Sequence, residues 1–196
     1  MGRIFYLMGK SASGKDTIYR ELLENDEFSF RKLIPYTTRP IRSGEVNGED
    51  YFFTDEAGLE EIRQAGKLVE LRTYQTAHGP WHYFTVDDGR VNLAQYSYLV
   101  IGTLESYQSL KAYFGAENLV PIFIDLDDGL RLQRALDRER AQEQPKYKEM
   151  CRRYLADLED FTEEKIAEAG IVTRFFNNEL TDCIEQIKIY IKENRN

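Results

Sequence analysis

"LMGKSASGKDT", residues 7–17, follows a short apolar run, "RIFYLM" at 3–8, and precedes a segment with Ile18, Leu22 and Leu23 at helical spacing. Gly9, Gly14 and Lys15 stand at the positions of the two glycines and the lysine of a phosphate-binding loop. Glycines at both ends let the backbone turn tightly enough to aim several N–H groups at one anion. The helix that follows adds its positive end, and the lysine reaches the terminal phosphates. Gly9, Lys10, Ser11, Ala12, Ser13, Gly14, Lys15, Asp16 and Thr17 are therefore expected to hold the phosphates of a nucleotide. Asp16 occupies the place where a serine or threonine ordinarily offers its hydroxyl to Mg2+. A carboxylate is also a hard oxygen ligand, so Asp16 is expected to hold Mg2+ directly or through water, with the Thr17 hydroxyl beside it. Capping the helix is the alternative use of Asp16, and the two roles can coexist.

Outward from this loop the chain alternates strand-like and helix-like segments, the mark of an α/β layered fold. Buried parallel strands are expected at 98–102 ("YLVIG"), 120–126 ("VPIFIDL") and 172–176 ("VTRFF"), and helices at 15–25, 103–114, 127–142 and 178–193. In the last helix Leu180, Cys183, Ile184, Ile187 and Ile191 form an apolar stripe. Residues 35–90 break the alternation with short strand-like pieces, "DYFF", "KLVELRTY" and "HYFTV", and read as a small, partly β insertion. Residues 131–153 carry six arginines around the polar "AQEQPKYK" and read as a cationic cap.

The 196 residues suit one domain, and 42% hydrophobic content supports a sizeable core. A net charge of −8 argues against a nucleic-acid binder, whose footprint is a basic face. An acidic chain that handles nucleotides must gather its cations locally. Cys151 and Cys183 have no metal-type spacing and are expected to be buried thiols in a reducing compartment. No apolar run approaches the ~18 residues of a membrane span, so a cytoplasmic protein without a membrane partner is expected. His78 and His82 are too few and too close together to suggest zinc.

A second motif, "YTTRPIRSGEVNGEDYFF" at 36–53, places Arg39 and Arg42 three apart near Tyr51, a set suited to gripping one dianionic phosphate. Here the chain resembles the guanylate kinase family, whose acceptor-binding region has two Thr, Arg, a spacer, Arg, Gly-Glu, then Gly, one residue and Asp-Tyr. Thr37, Thr38, Arg39, Arg42, Gly44, Glu45, Gly48, Asp50 and Tyr51 match that spacing. The resemblance extends over nearly the whole chain. It implies a P-loop NTPase core with a central parallel sheet flanked by helices (about 1–34, 91–130 and 154–196). It also implies an inserted small α+β acceptor-binding lobe (about 35–90) and a helical lid (about 131–153). The implied activity is transfer of a phosphoryl group from ATP, with Mg2+, to GMP or dGMP. Arg39, Arg42 and Tyr51 would bind the acceptor's phosphate, and Glu45 would hold the arginines by ion pairing. Lys15, Arg138 and Arg153 would neutralise the transferring group, and Glu70 matches the glutamate that reads guanine. Arg134 and Arg140 are placed less firmly by the likeness.

The chain departs from the family pattern in its base-reading half. Pro35 replaces a serine, Thr103 is the best match to an aspartate, and "HGP" stands where the family has Tyr-Gly-Ser/Thr, with His78 in place of the tyrosine and Pro80 in place of the Ser/Thr. Thr103 and His78 are carried as acceptor-binding residues, and Glu105, Tyr74 and Trp81 as possible compensation. Two other readings stand beside GMP. One is a P-loop kinase with another phosphorylated acceptor, such as ribose 1,5-bisphosphate. The other is a non-catalytic guanylate-kinase-like binding module. ATP and GMP are the partners expected, and the oligomeric state is left open.

Overall fold

The computed structural model describes residues 1–76 and 79–195. Strand β1 (Ile4–Met8) is fully buried at the centre of a parallel five-stranded sheet, flanked by β7 (Tyr98–Ile101) and β8 (Leu119–Asp125). Beyond these lie the edge strands β2 (Arg31–Lys32) and β9 (Arg174–Phe176). The sequence of β1 is apolar without alternation because both of its faces are covered. Ile4, Tyr6 and Met8 face one core, shared with Leu104, Tyr107 and Leu110 of α3 (Leu104–Phe114) and with Ile166 of α6 (Glu163–Glu168). Phe5 and Leu7 face the other, built from Ile18 and Leu22 of α1 (Lys15–Glu24) and from Cys183, Ile184, Ile187 and Ile191 of α7 (Leu180–Glu193).

A second, mixed sheet has the order β4 (Phe52–Phe53), β3 (Tyr36–Thr37), β6 (Gly79–Val86), β5 (Leu68–Thr76). One face buries Phe84, Val86 and Leu71 against Leu59 and Ile62 of α2 (Glu56–Gln64), a small core of its own. Residues on the opposite face keep their polar ends. Glu70 pairs across the ladder with Thr85 and Arg72 with Tyr83, which sets their side chains side by side on that face. Helix α3 packs on both β5 and β8 and so ties this sheet to the central one.

After β8 the chain forms α4 (Asp128–Arg140) and α5 (Tyr147–Asp160), packed on each other. Helix α5 was not expected as a separate element; of its residues only Met150 is buried, so it offers almost no apolar stripe to read. The thiols also depart from expectation. Cys183 is buried, which pushes its pKa up to about 11, but Cys151 is exposed on α5, and both are free. Among the described residues no helix is long and apolar enough to cross a membrane.

Candidate active site

The carboxyl ends of β1, β7 and β8 converge, the position where open α/β sheets take their ligands. The loop from Gly9 to Gly14 starts there. Gly9 is pressed so close to β8 that a Cβ would lie 2.3 Å from the Ile124 carbonyl oxygen. Gly14, at φ 91°, is the N-cap of α1, where a Cβ would meet the Asn177 amide nitrogen at 2.2 Å. Asn177 is buried and donates to the Ser13 carbonyl at 2.7 Å, so the loop's second half is fixed from behind. Lys15 opens α1 with a fifth of its side chain exposed, 3.9 Å from the Asp16 carboxylate.

The loop's first half is fixed by an ionic cluster on the helical hairpin. Arg131, 1% exposed, bridges Asp128 (2.7 Å) and Asp157 (3.3 Å) and donates to the Ser11 carbonyl at 3.1 Å. Asp157 accepts the Ser11 N–H at 2.8 Å, and Lys10 pairs with Asp128 at 3.2 Å. Sequence reading missed Arg131, Asp128 and Asp157. Arg131 and Asp128 are three positions apart on one helix, but Asp157 is 26 residues away and Ser11 is 120, so their convergence on the loop is not visible in sequence.

Asp16 is exposed on the first turn of α1, its side chain 76% accessible. No cluster of three or more His, Cys, Asp or Glu side chains is placed to hold a metal among the described residues. This suits Mg2+ chemistry, in which one or two carboxylates act with substrate phosphates and water. Asp16 therefore fits as one protein ligand of a phosphate-bound Mg2+. The N-cap position of α1 is held by Gly14, so Asp16 does not occupy the cap itself, but as the acid of the first turn it complements the helix dipole.

On the second sheet Arg39 is almost wholly buried. Its guanidinium makes a bidentate pair with Glu45 (2.8 and 2.7 Å) and also donates to the Tyr83 hydroxyl (3.1 Å) and the Pro40 carbonyl (2.9 Å). The Arg39 bond draws the Glu45 carboxyl down to about 2, with the Arg42 backbone N–H adding to it. Glu45 thus orders Arg39 through its charge but Arg42 only through the backbone. The Arg42 side chain is exposed, 6.0 Å from the centre of the Trp81 ring. Tyr51 lies under Arg39, 5.2 Å from ring centre to guanidinium, and burial raises its hydroxyl pKa.

Glu70 is buried and engaged on both oxygens. Arg72 donates from Nε at 3.0 Å and from Nη2 at 3.3 Å, and the Thr85 hydroxyl donates at 3.0 Å. Thr103 is the N-cap of α3, its hydroxyl accepting the Ser106 N–H at 3.3 Å. At its neighbour Gly102 no side chain fits, since a Cβ would meet the Tyr6 hydroxyl at 2.1 Å. His78 lies outside the described residues.

Two cavities connect these parts. One, of about 240 Å³, runs between Ser11 of the loop and Arg138, Glu149 and Arg153. The other, of about 1170 Å³, lies between the second sheet and α5 and holds Arg42, Arg72, Lys148, Arg152 and Arg153 against the single acid Glu149. Glu149 and Arg153 line both. Glu149 pairs with Arg152 (2.8 Å) and Arg153 (3.0 Å), and these bonds, Arg152 first, hold its carboxyl down at about 2. Arg134 is turned elsewhere, donating to the Asn177 carbonyl, and Arg140 is exposed beside Asp137.

A glycine-flanked loop on the first strand of a parallel sheet, with a lysine opening the next helix, defines the P-loop class of α/β proteins. A model of the guanylate kinase family matches residues 1–86. Over 73 residues the chain is 40% identical to the guanylate kinase of Lactobacillus acidophilus and 38% identical to that of Streptococcus pneumoniae. Over 72 residues it is 42% identical to that of Novosphingobium aromaticivorans. Each match takes in 37% of this chain and 36%, 35% and 32% of those relatives, so it spans about a third of their length. The crystal structure of guanylate kinase from Anaplasma phagocytophilum superposes with a TM-score of 0.64 at 19% identity, covering 99% of this chain and 86% of that one. That last likeness is one of fold. The sequence likeness to guanylate kinases is carried by the first 86 residues, and over the rest of the chain the likeness is one of fold.

Proposed function

We propose that the protein transfers the terminal phosphoryl group of ATP to a nucleoside monophosphate, with GMP and dGMP as acceptors. The observation that carries this reading is the shared wall of the two cavities. Arg153 and Glu149 border both the space between α4 and α5 that reaches the phosphate loop at Ser11 and the space beneath Arg42 and Tyr51. Two anions held at the two ends would meet beside the same arginine.

In this reading Gly9 to Thr17 hold the ATP phosphates, through backbone N–H groups and the Lys15 ammonium. Arg39, Arg42 and Tyr51 hold the acceptor's phosphate. Arg39 brings a guanidinium already oriented by Glu45, so little freedom is lost on binding, whereas Arg42 is exposed and is drawn in by charge. Phosphoryl transfer asks chiefly for positioning and charge stabilisation. Lys15, Arg138 and Arg153 take that role, with Arg153 released from Glu149 as the anionic substrates enter. Mg2+, when bound, supplies further neutralisation of the phosphate oxygens, and Asp16 would be its protein ligand. No general base is needed, because the attacking phosphate oxygen is already ionised. The core, acceptor lobe and lid divide as 1–34 with 91–130 and 154–196, 35–90, and 131–153.

The test offers GMP, dGMP, AMP, UMP, CMP and ribose 1,5-bisphosphate in turn with ATP and Mg2+, and follows ADP release. GMP and dGMP should each support turnover. Turnover with ribose 1,5-bisphosphate alone would move the reading to a sugar-phosphate kinase, and release with no acceptor on the panel would leave a binding module.

A further inference from the structure

The two sheets meet around Arg72, a residue with no role assigned from sequence. Its side chain is 15% exposed and lines both the large cationic cavity and a smaller adjoining one of about 180 Å³, floored by Tyr6, Thr85 and Ser106. Its position follows from the strand. Residues two apart in β5 point to the same face, so Arg72 lies beside Glu70 and reaches back along it. A guanidinium has five N–H donors. Arg72 spends one on each oxygen of Glu70, and its Nη1 nitrogen has no hydrogen-bond partner among the described residues.

This changes what the pocket can read. A free carboxylate facing the inner edge of guanine would accept from both N1–H and the 2-amino group. Here Glu70 Oε1 already accepts from Arg72 and Thr85, and Oε2 accepts from Arg72. At most one further donor can be satisfied at Oε2 without displacing the arginine. A base edge brought against Glu70 therefore meets a guanidinium that offers hydrogens, on the side where guanine also offers hydrogens. Two donors facing each other leave both unpaired, which is the costly arrangement in a pocket that excludes water. The end of β7 offers no second carboxylate, since a side chain at Gly102 would meet the Tyr6 hydroxyl, and the acids that line the adjoining cavity, Glu49 and Asp50, lie on the 36–53 segment and not on β7.

We propose that Arg72 is a specificity-determining residue that withholds Glu70 from guanine and selects acceptors whose inner edge carries a lone-pair oxygen, a purine 2-oxo group in place of the 2-amino group. The inference rests on the proposed phosphoryl transfer to a purine monophosphate and deepens it.

Three acceptors with different groups at purine C2 test it: GMP (amino), IMP (hydrogen) and xanthosine monophosphate (oxo, with an ionisable N3–H), assayed at a pH low enough to keep N3 protonated. With the wild-type protein, kcat/KM for xanthosine monophosphate should equal or exceed that for GMP, and IMP should fall within about tenfold of GMP. Arg72→Gln keeps an amide donor for Glu70 and removes the charge, and it should shift the ratio towards GMP by about tenfold or more. A merely structural arginine would lower all three rates together and leave the ratio where it was. A wild-type preference for GMP of about a hundredfold over both others would overturn the proposal, whether or not the variant folds. Absence of transfer to all three would instead overturn the proposed activity. Calorimetric binding of the same three nucleotides would then still read the C2 preference, and tighter binding of GMP than of xanthosine monophosphate would again be the contrary result.

Discussion

Lys15 and Glu45 show how single side chains are set for their parts. Lys15 opens α1 with the exposed Asp16 as its only nearby counter-charge among the described residues, so its ammonium can meet an incoming anion. Lys15→Met removes that charge without touching the buried face of α1. We expect kcat to fall about a hundredfold or more with a thermal midpoint close to wild type, measured by coupled ADP release and by calorimetry. Glu45 carries a pH dependence. Its carboxyl is held at about 2 against an ordinary 4.5, so its contribution is complete above 4.5 and is lost as the pH falls from there towards 2. Glu45→Gln should flatten that part of the stability profile in acid titrations followed by circular dichroism, and an unchanged acid limb would dissociate Glu45 from it. Arg39 and Arg42 could be singled out from the sequence because two arginines three apart near Tyr51 leave a local signature, whereas Glu45 and Glu70 are picked out only by the resemblance to guanylate kinases. Arg72 left none: one arginine in a strand becomes informative only when the carboxylate beside it is seen to be occupied.

Among the elements, the N-terminus of α3 separates two uses of one hydroxyl. Thr103 was expected to contact the acceptor, and the fold has it capping α3 through the Ser106 N–H. Thr103→Ala should cost roughly 1 kcal/mol in stability as a lost cap, with the acceptor KM unchanged. A raised acceptor KM would show that the same hydroxyl also contacts the acceptor. Strands β1, β7 and β8 were legible as continuous apolar runs because they are covered on both faces. Helix α2 was missed although it carries a usable signal. Asp55 caps it by accepting the Gly58 N–H, and Leu59 and Ile62 recur at helical spacing behind it. Helix α5 offers no such signal, since its work is done by polar side chains turned towards Ser11, Asp128 and the cavities.

The whole molecule carries a net charge of −8, yet it concentrates five cationic side chains against one acid in the cavity between the second sheet and α5. Such a site draws in polyanions against the overall charge, and the pairs on Glu149 keep the arginines from repelling one another while it is empty. That α5 borders both cavities could not be read from the sequence, because it depends on packing against segments far away in the chain, Ser11 on one side and Arg72 with Trp81 on the other. It is nonetheless the point on which the account turns. The most direct measurement is calorimetric binding of an adenosine and a guanosine joined 5′ to 5′ through a chain of phosphates. If the phosphate loop and the arginine pocket face one another across Arg153, this compound should bind at least about a hundredfold tighter than ATP or GMP alone. Affinity no better than that of the tighter half would mean that the two sites cannot be filled by one molecule, and would contradict transfer between them.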